Sequence, residues 1–175
     1  MMISNQRSLL ISVIGGSDPG PKALKQAEQV GQELAKRGVV VVCGGLSGVM
    51  EAVCKGAKKA GGTTIGILPG SEPDSANPYV DIPLCTDLGY ARNFLVVKAG
   101  RAAIAIDGAF GTMSEIGHAL AANIPVIGLD TWAFSINGKQ IESIIIAKNP
   151  VDAVEIAIKE ARSRDEKCKE ITRIR

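Results

Sequence analysis

Glycine clusters stand at three places where an apolar run hands over to a more polar stretch: Gly15-Gly16-Ser17, Gly44-Gly45-Leu46-Ser47-Gly48 and Gly108-Ala109-Phe110-Gly111-Thr112. Backbone N–H groups at a helix start, backed by the helix dipole, form an anion site, and without a Cβ a phosphate can approach the main chain. One such cluster is explained by the packing of a tight turn alone; three at one sheet edge point to a phosphate-bearing small molecule. Gly16, Ser17, Gly44, Gly45, Gly48, Gly108, Gly111 and Thr112 are therefore candidate binding residues.

Other chemistries lack their residues. The spacing G-x-G-x-x-G is missing, and the run Thr63 to Leu68 ends in Pro-Gly where an acidic residue would grip a ribose, which disfavours an NAD dehydrogenase. The Walker pattern of nucleoside triphosphatases is absent. Ser17 lacks the G-x-S-x-G elbow of a hydrolase nucleophile, and turns or N-caps explain Ser17 and Asp18 nearly as well as a ligand does. Cys43, Cys54, Cys85 and Cys168 form no C-x-x-C pair and His118 is the single histidine, so no metal site is expected. The thiols read as small hydrophobes in a reducing cytoplasm.

The elements that must position these turns follow from apolar periodicity. Leu9 to Ile14, Val39 to Cys43, Thr63 to Leu68, Ala102 to Ile106, Pro125 to Leu129 and Ser143 to Ala147 suit buried strands, with an extended piece over Tyr79 to Ile82. Helices are expected from Pro21 to near Gly38, Val49 to Ala60, Leu88 to Gly100, Thr112 to Ala122 with Thr112 as N-cap, and Pro150 to about Arg162. Pro69 to Pro78 is dense in turn formers and reads as an exposed loop, and Asn137-Gly138 signals a type I′ hairpin. The alternation predicts an α/β fold: a doubly wound, mostly parallel, Rossmann-like sheet with helices on both faces, as a single domain over residues 1–175. In such sheets ligands gather outside the carboxyl ends of the strands, where the glycine turns fall.

Composition sets the limits. The 175 residues carry 20 Lys+Arg against 18 Asp+Glu, so no strong field exists for a nucleic acid, and 3 % aromatics supply few stacking platforms. No basic leader with a cleavage site opens the chain and its apolar runs are too short to span a bilayer, so a cytoplasmic protein without membrane partners is expected. The 20 glycines call for close backbone approach somewhere. Residues 163–175 read as a charged tail, the solvated and frayed end of the last helix.

At this level the chain resembles the Lonely Guy (LOG) proteins, cytokinin-activating phosphoribohydrolases long mislabelled lysine decarboxylases, and their relatives the molybdenum-cofactor carrier proteins. The likeness covers most of the chain. The family's Gly-Gly-Gly-x-x-Gly-Leu-Met segment is similar to Gly44-Gly45-Leu46-Ser47-Gly48-Val49-Met50, and its Pro-Gly-Gly-x-Gly-Thr-x-x-Glu motif to Asp107 through Glu115. Its Arg-Lys pair falls on Arg92-Asn93. The resemblance adds Met50 and Asp107 to the binding residues and implies Glu115 and Arg92 as a catalytic pair. The expected reaction is cleavage of the N-glycosidic bond of a nucleoside 5′-monophosphate, with no cofactor required. Glu115 would stabilise an oxocarbenium ion while Arg92 keeps it ionised. The alternative is a carrier of a phosphorylated pterin or nucleotide, without turnover. Asn93, Asp107 and Ala109 depart from the family's Lys, Pro and Gly, which bears on that choice. The resemblance also implies a homodimer with helices at its interface; His118, on the face of Glu115, suits such an interface better than it suits a general acid.

Overall fold

The computed structural model describes the backbone of residues 7–173 and the side chains of residues 7–165. Seven parallel strands form one sheet: β1 (Leu10–Gly15), β2 (Val40–Cys43), β3 (Thr64–Leu68), β4 (Ile82–Cys85), β5 (Ala103–Ile106), β6 (Val126–Leu129) and β9 (Ile145–Ile146). β7 (Phe134–Ile136) and β8 (Lys139–Ile141) make the expected hairpin, with Asn137 at φ 52° and Gly138 at φ 74° in its turn. The helices are α1 (Pro21–Lys36), α2 (Val49–Lys59), α3 (Asn93–Ala99), α4 (Phe110–Ala121) and α5 (Pro150–Arg173).

The strand order is β4-β3-β2-β1-β5-β6-β9. From β1 the chain winds outward through β2, β3 and β4, then returns to the opposite side of β1 with β5 and continues to β6 and β9. The reversal lies between β1 and β5, whose register runs from Ser12 beside Ala103 to Gly15 beside Ile106. At such a switch point the two departing loops turn to opposite faces and leave a crevice at the carboxyl ends of the strands.

Period-two alternation sends side chains of each strand to two cores. On one face Ile11, Val13, Val41, Ile104 and Ile127 pack against α1, α2 and α5; on the other Ile14, Val42, Ala105 and Val126 pack against α3 and α4. Two glycines draw α1 and α2 together. A Cβ on Gly31 would lie 2.0 Å from the Val53 carbonyl oxygen, and one on Gly56 would lie 1.9 Å from that of Glu28. Part of the glycine excess thus serves helix packing that fixes where α2 begins.

Three expectations need correction. The extended piece forms β4 over Ile82–Cys85, not Tyr79 to Ile82, because Thr64 Oγ1 and the Asp81 carboxylate tie the preceding segment down: Thr64 donates to the Tyr79 carbonyl at 2.7 Å and the Asp81 N–H donates back to Thr64 Oγ1 at 2.9 Å. The helix expected from Leu88 opens with a 3-10 turn over Gly89–Arg92, and α3 proper starts at Asn93. The last helix does not fray near Arg162. Its backbone stays helical to Arg173, with Arg101 paired to Asp165 and Arg164 donating to the Arg101 carbonyl at 3.5 Å.

Candidate functional site

The three glycine turns meet. The Val49 N–H, first in α2, donates to the Gly16 carbonyl at 3.0 Å, and the Ser47 hydroxyl to the Ser17 carbonyl at 3.3 Å. Gly48 sits at φ 72°, and a Cβ there would be 2.4 Å from the Gly16 oxygen, so no side chain fits between the first two turns. The third turn reaches the first through Asp107, whose Oδ2 lies 4.0 Å from where a Gly16 Cβ would stand. Gly44 faces the other way across the crevice, against Arg92 and the Met50 sulfur. Gly45 does not line the crevice: it packs on Leu68 and Gly66, and its carbonyl accepts from the Asn77 main-chain and side-chain N–H groups at 2.8 and 3.1 Å. Ser17 is exposed beside Gly48.

The start of α4 differs from the expectation that Thr112 caps it. The N-cap is Ala109, in extended conformation and without any side-chain cap hydrogen bond, and Thr112 is already inside the helix. The Met113 N–H is consumed by the Ala109 carbonyl at 3.1 Å. The first three amides of α4, on Phe110, Gly111 and Thr112, therefore precede the hydrogen-bond ladder. An added Cβ on Gly111 would meet nothing within 4 Å, so the space beside this residue is open. The turn gets there through positive φ at Asp107 (54°) and Gly108 (152°), braced by the Thr131 hydroxyl donating to the Asp107 carbonyl at 2.5 Å. The Asp107 carboxylate itself has no hydrogen bond or ion pair to any described residue.

Beneath this cradle lie the two charged groups of the motif. Arg92 and Glu115 are both buried, 7 % and 6 % exposed, with Nη1 to Oε1 at 3.6 Å. Arg92 donates from Nη1 to Asn93 Oδ1 at 2.6 Å and from Nη2 to the Gly44 carbonyl at 3.4 Å, while its Nε–H has no partner among the described residues. A buried guanidinium donor left unmatched costs about 1–3 kcal/mol, a cost that a bound acceptor removes. Asn93 Nδ2 donates to Ser114 Oγ at 3.0 Å, so the residue standing where the family has Lys ties Arg92 to Ser114 on α4.

The expectation that Arg92 keeps Glu115 ionised is overturned in degree. Burial pushes the Glu115 carboxyl up to about 7 in spite of the nearby guanidinium. Burial likewise lowers Arg92, with Glu115 opposing. A carboxyl poised near neutrality and fixed by an arginine is equipped to give or take a proton at physiological pH. His118 takes no part: it is exposed, on the side of α4 that faces α3, with its ring edge-on to Phe94 at 5.6 Å.

A concavity of about 800 Å³ adjoins the first two turns at Ser17 and Gly48 and runs between α1 and α2, where Asp18, Glu28, Glu51 and Lys55 line it. Its Glu28 is already paired with Lys55 and Lys59. The reactive groups are not there. Among the described residues no group of His, Cys, Asp and Glu is arranged to hold a metal, and no helix is long and apolar enough to cross a membrane. Cys43 and Cys54 are buried with their sulfurs 3.5 Å apart.

Sequence reasoning missed Asn77 and Trp132. Asn77 is buried and braces the second turn, Nδ2 donating also to the Leu46 carbonyl at 2.9 Å. Its signal was an Asn-Pro pair inside a stretch read only as loop. Trp132 lies beyond β6 against Gly108, and nothing local marks it.

The profile of one family matches residues 8–163. The chain belongs to the SLOG cluster4 family. Among curated relatives, this SLOG cluster4 chain is 38 % identical over 148 residues to an uncharacterized protein of Archaeoglobus fulgidus, covering 85 % of this chain and 93 % of the other. It is 29 % identical over 118 residues to a cytokinin riboside 5′-monophosphate phosphoribohydrolase of Mycobacterium tuberculosis, covering 62 % of this chain and 63 % of that one. Among solved structures, the molybdenum cofactor binding protein of Rippkaea orientalis superposes with TM-score 0.80 at 35 % identity, covering 89 % of this chain and 98 % of that one. The Moco carrier protein of Chlamydomonas rheinhardtii does so with TM-score 0.76 at 32 % identity, covering 90 % and 99 %. The SLOG cluster4 chain thus has the Rossmann-like fold of Moco carrier proteins and LOG-type relatives, as its motifs imply.

Proposed function

We propose that this protein binds a phosphorylated pterin or a similar guanine-like nucleotide in the crevice between β1 and β5 and carries it without turnover. The phosphate sits before the amides of Phe110, Gly111 and Thr112, with Gly16, Gly44, Gly48 and Gly108 leaving the main chain approachable and Met50 lining the wall. Asp107 is the observation that carries the choice of ligand. A free carboxylate beside the cradle repels a bare phosphate, yet it accepts two N–H bonds from the 2-amino-pyrimidinone edge shared by pterins and guanine, which adenine lacks. The near end-to-end likeness to molybdenum cofactor binding and carrier proteins supports the same reading.

A second reading, hydrolysis of the N-glycosidic bond of a nucleoside 5′-monophosphate, is favoured by the Arg92–Glu115 pair and the carboxyl poised near neutrality. The two separate cleanly. Incubation with AMP and GMP followed by chromatography is expected to yield no free base, while native mass spectrometry shows the phosphorylated pterin of molybdenum cofactor retained. Release of base and ribose 5-phosphate, lost in Glu115→Gln, overturns the carrier in favour of the hydrolase. Within this proposal the protein acts in the cytoplasm, where its thiols stay reduced, and pairs as a homodimer through the exposed Leu88, Phe94 and Leu95.

A further inference from the structure

Phe110 is the first residue of α4 and is 78 % exposed, an unusual place for a large apolar ring. Solvent does not surround it on both faces. The Trp132 indole stands behind it, ring centroids 6.1 Å apart and planes tilted by 34°. Trp132 in turn is pressed against the cradle: its Nε1 lies 2.8 Å from where a Gly108 Cβ would be, and that buried N–H has no hydrogen-bond partner among the described residues. Two aromatics of a chain with 3 % aromatic content therefore flank the turn that also presents the phosphate amides and the unpaired Asp107. A 6.1 Å gap is too narrow to admit a third ring between them, so the face on offer is the outer face of Phe110.

We infer that Phe110, backed by Trp132, is the stacking platform for the ligand's fused heteroaromatic ring, and that this pair sets the preference for ring-bearing phosphates over sugar phosphates. The inference rests on the phosphate cradle proposed above and adds the subsite for the ring. Stacking on an aromatic is tolerant of ring identity because every base has a π-face, whereas the edge is read by the carboxylate of Asp107.

Trp132 is the chain's single tryptophan, so its fluorescence reports this subsite alone. The experiment uses full-length protein in the Glu115→Gln background, so that turnover cannot remove the ring, titrated with GMP and with ribose 5-phosphate by calorimetry and by fluorescence. GMP is expected to change the Trp132 emission and ribose 5-phosphate to leave it unchanged. Phe110→Ala, checked for native circular dichroism, weakens GMP by about 10-fold and leaves ribose 5-phosphate within a factor of about two. Phe110→Tyr restores GMP binding, since the phenol keeps the π-face. Equal effects of Phe110→Ala on both ligands, or GMP binding without any change in emission, overturns the platform while the cradle stands. Failure of both ligands to bind takes down the cradle and the platform together.

Discussion

Arg92 Nη1 stands 3.6 Å from Glu115 Oε1, and both side chains are buried under the carboxyl edge of the sheet. The pair does not reach full ion-pair strength. Glu115 keeps its proton up to about pH 7, against 4.5 when unperturbed. The folded protein thus binds this proton more tightly than the unfolded chain does, and stability falls as pH rises from the unfolded value through the folded one. The interval corresponds to about 3 kcal/mol. Thermal melts between about pH 5 and pH 8 are expected to show this decline. Glu115→Gln, neutral throughout, flattens it and melts higher than the unsubstituted protein at about pH 8. A parallel pH dependence of the two proteins would mean that Glu115 is ionised across the range.

Gly48 and Gly111 separate folding from binding. Gly48→Ala places a Cβ 2.4 Å from the Gly16 carbonyl oxygen at a residue with φ 72°, so it is both crowded and strained. It is expected to cost about 2 kcal/mol or more of stability, read from chemical denaturation. Gly111→Ala meets nothing within 4 Å and lies in a helix, where Ala is favoured by up to about 1 kcal/mol. The melting temperature should hold or rise. The new methyl stands where the anion is proposed to sit, so phosphate and GMP affinity should fall while the fold does not, a split that calorimetry on the same sample detects.

Much of this site was legible because its signals are local. A glycine that opens a helix after an apolar strand is written in consecutive residues, and the order of three such turns fixes the edge on which they meet. What was not legible is how side chains from distant segments finish the site. Asn93 reads as a lost cation until the fold shows it holding Arg92 to Ser114. Thr112 reads as an N-cap because Thr caps helices well, yet Ala109 is the N-cap of α4 and its side chain leaves the amides uncapped. The glycine excess itself was ambiguous in purpose: Gly31 and Gly56 fall inside expected helices, away from the three clusters, and only the fold shows that they serve the α1–α2 crossing.

Asn77 fixes the second turn from a loop. Its Nδ2 donates to Gly45 and Leu46 carbonyls at 3.1 and 2.9 Å, and its Oδ1 accepts from the Tyr79 N–H at 3.1 Å. Asn77→Ala removes all three and leaves the Gly45 and Leu46 carbonyls one donor poorer. A loss of about 1–3 kcal/mol is expected by chemical denaturation. Hydrogen exchange should quicken at Gly44 to Gly48 and stay unchanged in β6.

The apolar residues just before the 3-10 turn and on α3 test the proposed pairing. Leu88 is 51 % exposed, Phe94 43 % and Leu95 37 %, with His118 of α4 edge-on to Phe94. A second copy covering this face would remove their apolar surface from water at about 25 cal/mol per Å². A charge placed there would have to be desolvated without a partner. Phe94→Asp is expected to shift sedimentation from dimer to monomer with native circular dichroism retained. The crevice between β1 and β5 is assembled within one chain, so the monomer should keep its affinity for GMP. Loss of GMP binding with the dimer would instead require a side chain from the second copy in the crevice.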